Sequence, residues 1–292
     1  MLSQISLLEF LKFLRNRLWI LVLFTQDDFK TTIIPTTLFS VVIGPICHPS
    51  CAFHVFTWIW LHMLQFTLAN QTQDPSEDEK NKKTRPLPAH LISLREAIIY
   101  RWLVVPTCLI FSAWYGSKVL FASISIACLT ILYNELYLHR QWVAKNVLTA
   151  CGYAAFEFGG VWIARCHSYE IDHVTTLAIV INAAVFATTL QAQDFKDVEG
   201  DRLIGRKTLP IVFPLLSRMF MLIGLPLWSL FLVRVWGMDV ICGSLFVCCG
   251  LLTGARFVIY PSVSGDKVSC IVYSMWFSLV HLLPTYWRYA HN

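Results

Sequence analysis

Apolar runs, each about as long as a bilayer is thick, dominate the chain from residue 29 onward. A helical span needs roughly 20 such residues. Read by that length, the runs are 29–47, 52–69, 93–115, 118–137, 142–166, 171–191, 212–236, 239–260 and 268–289. They predict an all-α fold, a polytopic membrane helical bundle of about nine transmembrane helices. Ser93-Leu-Arg-Glu96 has the form of a capping box and fixes the start of the third run. Pro35, Pro106, Pro214, Pro226 and Pro284 fall inside runs. Such breaks are tolerated where neighbouring helices or water satisfy the freed backbone. No short-period repeat is visible, but Asp clusters after the second and sixth runs hint at two related halves.

The N-terminal stretch is apolar too, with Lys12, Arg15 and Arg17 in its middle. A signal peptide places its basic residues first and a small-residue cleavage site after. Residues 1–27 are therefore read as a retained amphipathic interfacial segment, and 28–292 as the membrane domain. Composition agrees. Hydrophobic residues make up 56% and charged residues 14%, and the mean hydropathy is +0.58. A soluble domain carries about 25% charged residues, so this deficit excludes a water-facing surface of this size. The 20 Phe and 11 Trp suit aromatic belts or an aromatic-lined cavity. Most of the ten cysteines, Cys108, Cys128, Cys151, Cys242, Cys248, Cys249 and Cys270 among them, lie inside apolar runs as small hydrophobes. No CxxC pair sits beside a second pair or a His pair, as a zinc site would require.

Charge placement gives a topology. Loops after the second, fourth, sixth and eighth runs share a face with the N-terminus. That face collects Lys12, Arg15, Arg17, Lys80, Lys82, Lys83, Arg85, Arg140, Arg202, Arg206, Lys207 and Lys267. The opposite loops offer little beyond Lys118, Arg165 and Arg234. The positive-inside rule puts the N-terminus and both acidic loops in the cytoplasm and, with an odd span count, the C-terminus on the far side.

The first acidic loop holds Asn70, Asp74 and Asp78, spaced by four, with Pro75 between them. On a helix continuing past Asn70 the three share one face. Pro75 is awkward for that, though acceptable in the first turn of a short new helix. The second loop holds Asp194, Asp197 and Asp201 at i, i+3 and i+7, again one face. Like charges at this spacing repel, and carboxylates at a membrane helix end are costly and usually functional. Oxygen ligands converging from one face suit Mg2+ that shares its shell with phosphate oxygens. Each loop alone is also readable as a solvated charged connection. Their occurrence on one face of the membrane favours a shared cation site.

These residues carry a family resemblance. The second loop, with its following Lys207-Thr208-Leu209-Pro210, resembles the DxxxDxxGD-type motif of the UbiA superfamily of intramembrane prenyltransferases. The first resembles that family's NDxxDxxxD motif, with Asn70, Asp74, Asp78 and the Arg85-Pro86-Leu87-Pro88 tail in register. Gln71 departs from it, standing where the family has Asp. Asn-Gln at this place resembles a fungal branch of the superfamily that includes membrane-bound sesquiterpene cyclases. The resemblance runs from about residue 28 to 289 and implies a bundle around a central cavity capped by the Asp motifs. It also implies Mg2+ as cofactor, a prenyl diphosphate such as farnesyl diphosphate as substrate, the lipid bilayer as surroundings and no nucleic-acid partner. A fungal source implies the endoplasmic reticulum, with the motif loops facing the cytoplasm.

The implied metal ligands are Asn70, Asp74, Asp78, Asp194, Asp197 and Asp201. The five Asp residues are also the expected catalytic set. An allylic diphosphate ionises when its leaving charge is stabilised, by metal ions as Lewis acids and by basic side chains as fixed counter-charges. Arg85, Lys145 and Lys207 are the candidates, joined by Asn70 and Tyr153 as substrate-binding residues. Lys145 is also readable as a positive-inside anchor; the family's phosphate-contacting Lys at this place favours the functional role. Gln71 is expected to take one negative charge from the metal site.

A carbocation then needs protection. Aromatic faces stabilise cations by about 0.5–2 kcal/mol each, and apolar walls exclude water. Trp58, Trp60, Phe66, Trp102, Trp114, Tyr115, Tyr133, Tyr153, Phe156, Phe158, Trp162, Phe186, Trp276 and Trp287 are available. Tyr153, Phe156 and Trp162 are favoured because Lys145 starts the same span. Asn134, Glu135, Glu157 and Asn182 are polar groups within or at the ends of apolar runs. Glu157 reads as a helix–helix hydrogen-bonding group before a proton acceptor. Three functions compete: cyclisation of the prenyl chain with proton loss, prenyl transfer to an aromatic, polyketide or quinone acceptor, and transport. Transport predicts carboxylates near the bilayer midplane, whereas these cluster at loop boundaries.

Overall fold

A computed structural model describes residues 7–44, 46–73, 75–165 and 170–291. The described residues are mostly helical and form no strand; one isolated backbone bridge joins Gln141 and Lys207. In order, the helices are α1 (Leu7–Thr25), α2 (Ile34–Val42), α3 (Ser50–Gln73), α4 (Pro75–Asn81), α5 (Leu94–Trp114), α6 (Ser117–Asn134), α7 (Trp142–Ala164) and α8 (His173–Thr189). They continue as α9 (Gln191–Asp194), α10 (Val198–Leu203), α11 (Leu209–Val212), α12 (Pro214–Val235), α13 (Val240–Ile259) and α14 (Val263–His291). Among the described residues, 8 helices are long and apolar enough to cross a membrane. The remaining predicted span, 29–47, is shorter: a π-helical turn, Phe29–Ile33, runs into the 9 residues of α2.

Local chemistry explains the boundaries. Ser93 accepts from the Glu96 amide at 3.2 Å, and Glu96 Oε2 accepts from the Ser93 amide at 3.1 Å, so the capping box starts α5 as predicted. Pro106, Pro226 and Pro284 lie inside helices. Pro35 and Pro214 instead occupy the first turns of α2 and α12, where the missing amide costs nothing. Pro75 is the first described residue of α4, and Asp74 before it lies outside the described residues.

The bundle is built on the central packing of α7, which contacts α2, α3, α6 and α8. Close approach to α3 is possible because Gly159 lies on the Trp58 ring: a Cβ there would stand 2.3 Å from it. Glu157, inside α7, accepts from Asn182 of α8 at 2.9 Å and pairs with His281 of α14 at 3.0 Å. All three side chains are buried, so this carboxyl links three helices, the expected helix–helix role. Glu135, at the end of α6, pairs with Arg101 of α5.

Candidate functional site

One cavity of about 450 Å³ opens at the end of the bundle where the two acidic loops meet. Asp194, Asp197 and Asp201 all line it, which is what their spacing predicts. The segment is α9, a 3-10 turn over Phe195–Asp197 and α10, so the tighter middle turn keeps the three carboxylates on one side. Asn70, at the last turn of α3, lines the opposite wall. Its amide nitrogen donates to Asn134 Oδ1 at 3.2 Å, which leaves the Asn70 carbonyl oxygen as its free acceptor.

Every one of these carboxylates holds a cation. Lys145, in the first turn of α7, is buried against Asp194. Asp197 takes Lys196 at 2.9 Å and Lys82 at 3.6 Å. Asp201 takes Arg206 at 3.1 Å. Arg85 donates to Asp78 at 2.8 and 3.0 Å and to Asp27 at 3.2 Å. Burial works against the Arg85 charge, but Asp78, Asp27 and Asp28 more than reverse it and raise its pKa. Lys30 and Lys267 also line the cavity, so its wall carries seven basic side chains (Lys30, Lys82, Arg85, Lys145, Lys196, Arg206, Lys267) against five acidic ones (Asp27, Asp28, Asp194, Asp197, Asp201). That excess suits an anionic ligand.

Some expected residues stand elsewhere. Asp74 lies outside the described residues. Asp78 is buried off the cavity, in the fork of Arg85, which draws its carboxylate out of reach of the Asn70 wall. Gln71 does not reach the cavity. It is buried on the other side of α3, donating to the Phe24 carbonyl at 2.9 Å, so it takes no charge from a cation site there. Lys207 is exposed and off the cavity. Its amide is tied to the Arg140 carbonyl at 2.7 Å, and neighbouring side chains on an extended segment point opposite ways. Arg206 therefore faces in where Lys207 faces out.

Sequence reading missed Asp27, Asp28 and Lys30, and treated Lys82, Arg206 and Lys267 only as topological charges. The available signal was an acid pair with a following Lys at the start of a span, on the same side as both loops.

Below the charged end the cavity continues as an apolar chamber lined by Met63, Phe66, Ile126, Leu129, Tyr133, Leu148, Tyr153, Phe156 and Phe186. Besides the Tyr133 and Tyr153 hydroxyls, its polar side chains among the described residues are Thr32, Thr130 and Thr149. Thr32, Met63, Phe66, Tyr133, Thr149 and Phe186 line both compartments, so they are continuous. Tyr153 packs on Phe186 at 4.7 Å between centroids, and its hydroxyl donates to the Thr31 carbonyl at 3.3 Å. Phe66 meets Tyr133 edge-on at 5.2 Å. Of the favoured aromatics, Tyr153 and Phe156 are on the chamber. Trp162 is not; it lines a separate groove with Lys118, whose ammonium lies 5.9 Å from its ring.

The donor set suits a hard divalent cation: oxygen ligands only, from Asn70 and the second-loop carboxylates. Among the described residues no three His, Cys, Asp or Glu side chains are already grouped as a metal cluster. The acids are spread along one wall, each beside a basic partner that a divalent ion would replace.

The model of the UbiA prenyltransferase family matches residues 33–280. The chain is 27% identical to the fumagillin beta-trans-bergamotene synthase of Aspergillus fumigatus, over 92% of each chain. It is 28% identical to a polyprenyl transferase of Hericium erinaceus, over 83% of this chain and 79% of that one. In fold it is similar to a UbiA homolog from Archaeoglobus fulgidus bound to GPP and Mg2+, with a TM-score of 0.62 at 15% identity, over 89% of this chain and 98% of that one.

Proposed function

We propose, from the premise that this chain belongs to the UbiA prenyltransferase family, that it ionises an allylic prenyl diphosphate at the charged end of the cavity and cyclises the chain in the chamber below. Farnesyl diphosphate is the proposed substrate and Mg2+ the proposed metal. Asn70, Asp74, Asp194, Asp197 and Asp201 are the residues to hold it, with Asp78 acting through Arg85. Bound Mg2+ would supply Lewis-acid stabilisation of the leaving diphosphate.

The protein's own groups do the rest. Lys145, Arg85, Lys82 and Arg206 present fixed positive charge toward the leaving oxygens, where the allylic carbon–oxygen bond breaks and the diphosphate departs with the electron pair. The carbocation left behind faces Phe66, Tyr133, Tyr153, Phe156 and Phe186, whose ring faces stabilise it, while the apolar walls keep water out. Carbon–carbon closure and loss of one proton then give a cyclic hydrocarbon. The proposed setting is the endoplasmic reticulum, with the charged end toward the cytoplasm.

One observation carries the preference for cyclisation over transfer: among the described residues the chamber offers three threonines and no ionisable group other than Tyr133 and Tyr153 to bind and deprotonate an acceptor. Similarity to the bergamotene synthase over nearly the whole chain supports the same reading. Similarity to a polyprenyl transferase keeps transfer to an aromatic acceptor as the second reading. The deciding experiment incubates membranes containing the protein with farnesyl diphosphate and Mg2+ without acceptor. A cyclic hydrocarbon that disappears with Asp197→Ala is the expected result. Diphosphate consumption only when an aromatic acceptor is added would establish transfer instead.

A further inference from the structure

Arg218 lies outside both acidic loops, near the start of α12, yet its guanidinium joins four elements. It forks onto Asp266 of α14, with both nitrogen–oxygen distances at 2.8 Å. The same group donates to the Phe257 carbonyl at the end of α13, at 2.6 Å. Its carbon stands 4.5 Å from the centroid of the Phe195 ring, which in turn packs on Phe257 at 5.1 Å. Phe195 is the residue between Asp194 and Lys196, in the turn that presents Asp194 and Asp197 to the cavity.

The contact is built to be rigid. Asp266 and Phe195 are buried. A bidentate Arg–carboxylate pair fixes orientation as well as distance. The 3-10 turn packs directly on α14. Asp266 is followed at once by Lys267, which lines the cavity. None of Arg218, Asp266 and Phe195 lines the cavity itself, so none touches a ligand held there.

We propose that Arg218 and Asp266 are positioning residues: through Phe195 they hold the Asp194–Asp197 turn, and through the start of α14 they hold Lys267, in the arrangement that a divalent cation and a diphosphate require. This rests on the reading of the cavity given above. A turn of 3-10 geometry is short and poorly hydrogen-bonded, so its register depends on the side chain that pins it. Groups that orient metal ligands from behind typically change metal affinity by about tenfold or more when removed.

The test uses the full chain in detergent, with Mn2+ as the probe ion and inorganic pyrophosphate as the anion. Free Mn2+ is read by electron paramagnetic resonance, and amide hydrogen exchange is read over residues 194–197. Asp266→Asn and Phe195→Leu are the main variants, since they keep volume close to native, and Arg218→Lys keeps charge while losing the fork. The expected result is about a tenfold weaker Mn2+ affinity in the presence of pyrophosphate, with faster exchange confined to 194–197 and the start of α14. A lower thermal midpoint with Mn2+ affinity and exchange at 194–197 unchanged would reduce the pair to packing and overturn the proposal. Absence of pyrophosphate-dependent Mn2+ binding in the unsubstituted protein would overturn the cavity reading instead, and the exchange data would still report on the pair.

Discussion

The Lys145 ammonium is buried against the Asp194 carboxylate. One group stands in the first turn of α7 and the other ends α9, so the pair ties the central helix to the second acidic loop. Charge removed from water in this way is tolerated only while both partners remain.

Lys145→Met leaves the Asp194 charge stranded, at a cost of about 3–5 kcal/mol. Adding Asp194→Leu removes the stranded charge. Stability is expected to return toward that of the unsubstituted protein, while consumption of farnesyl diphosphate stays lost. Thermal midpoints in detergent, measured beside turnover, separate the two effects. Equal midpoints for the single and double variants would contradict the buried-pair account.

The occupied carboxylates predict how metal and anion bind. Mg2+ alone has to displace a lysine or arginine from its partner, and pyrophosphate alone has to draw that cation away from an acid. Together each ligand relieves the other's difficulty. Calorimetric titrations of Mg2+ with and without pyrophosphate are expected to differ in affinity by at least about fivefold, with the same factor in the reverse order of addition. Identical affinities in both titrations would rule out this exchange. Chelation of Mg2+ is expected to abolish turnover.

Asp28 predicts a pH dependence. Burial pushes its carboxyl up to about 6 from the usual 3.8; Arg85, Lys82 and Lys196 pull it down and Asp27 pushes it up. A folded pKa raised above the unfolded one gives stability that is complete below the unfolded value and is lost as pH rises through the folded one. The window therefore lies between about pH 4 and 6. Asp28→Asn stays neutral throughout, so it is expected to melt with the unsubstituted protein at pH 4 and above it at pH 7.5. Melting curves without metal at both values check this, and a constant offset across the range would refute it.

Phe186 borders both compartments and packs at a tilt against Tyr153. Phe186→Leu keeps the chamber apolar but removes a ring face worth about 0.5–2 kcal/mol to a passing cation. The cyclised share of product is expected to fall by about 2- to 30-fold in favour of water-quenched alcohols, as read by gas chromatography with mass detection. Tyr153→Phe, which keeps its ring, is expected to change product composition far less.

Patterns carried by local geometry were legible in the sequence. Apolar length marked the spans, Ser93 and Glu96 marked a helix start, and the spacing of Asp194, Asp197 and Asp201 put them on one wall. The first loop was less legible, because spacing alone does not say which side chain an ion pair draws away from the cavity. Arg85 holds Asp78 off the cavity, and Gln71 turns toward Phe24. Choosing Arg206 over Lys207 required knowing that the segment is extended beside Gln141, a tertiary fact. Asp27, Lys30 and Lys267 each sit at a span end, where a single charge reads as an anchor until the fold brings such ends together.

The absent side chain at Gly159 has a consequence for the reaction volume. Trp58 rests directly on that position, so α3 and α7 are as close there as a ring and a bare backbone allow. Both helices go on to wall the chamber, α3 with Met63 and Phe66, α7 with Tyr153 and Phe156. A methyl group at residue 159 would act as a wedge between two levers, splaying the walls at a distance from where it was inserted. Chain-length tolerance and ring pattern can thus drift through a contact that no substrate ever touches, with the charged end left intact.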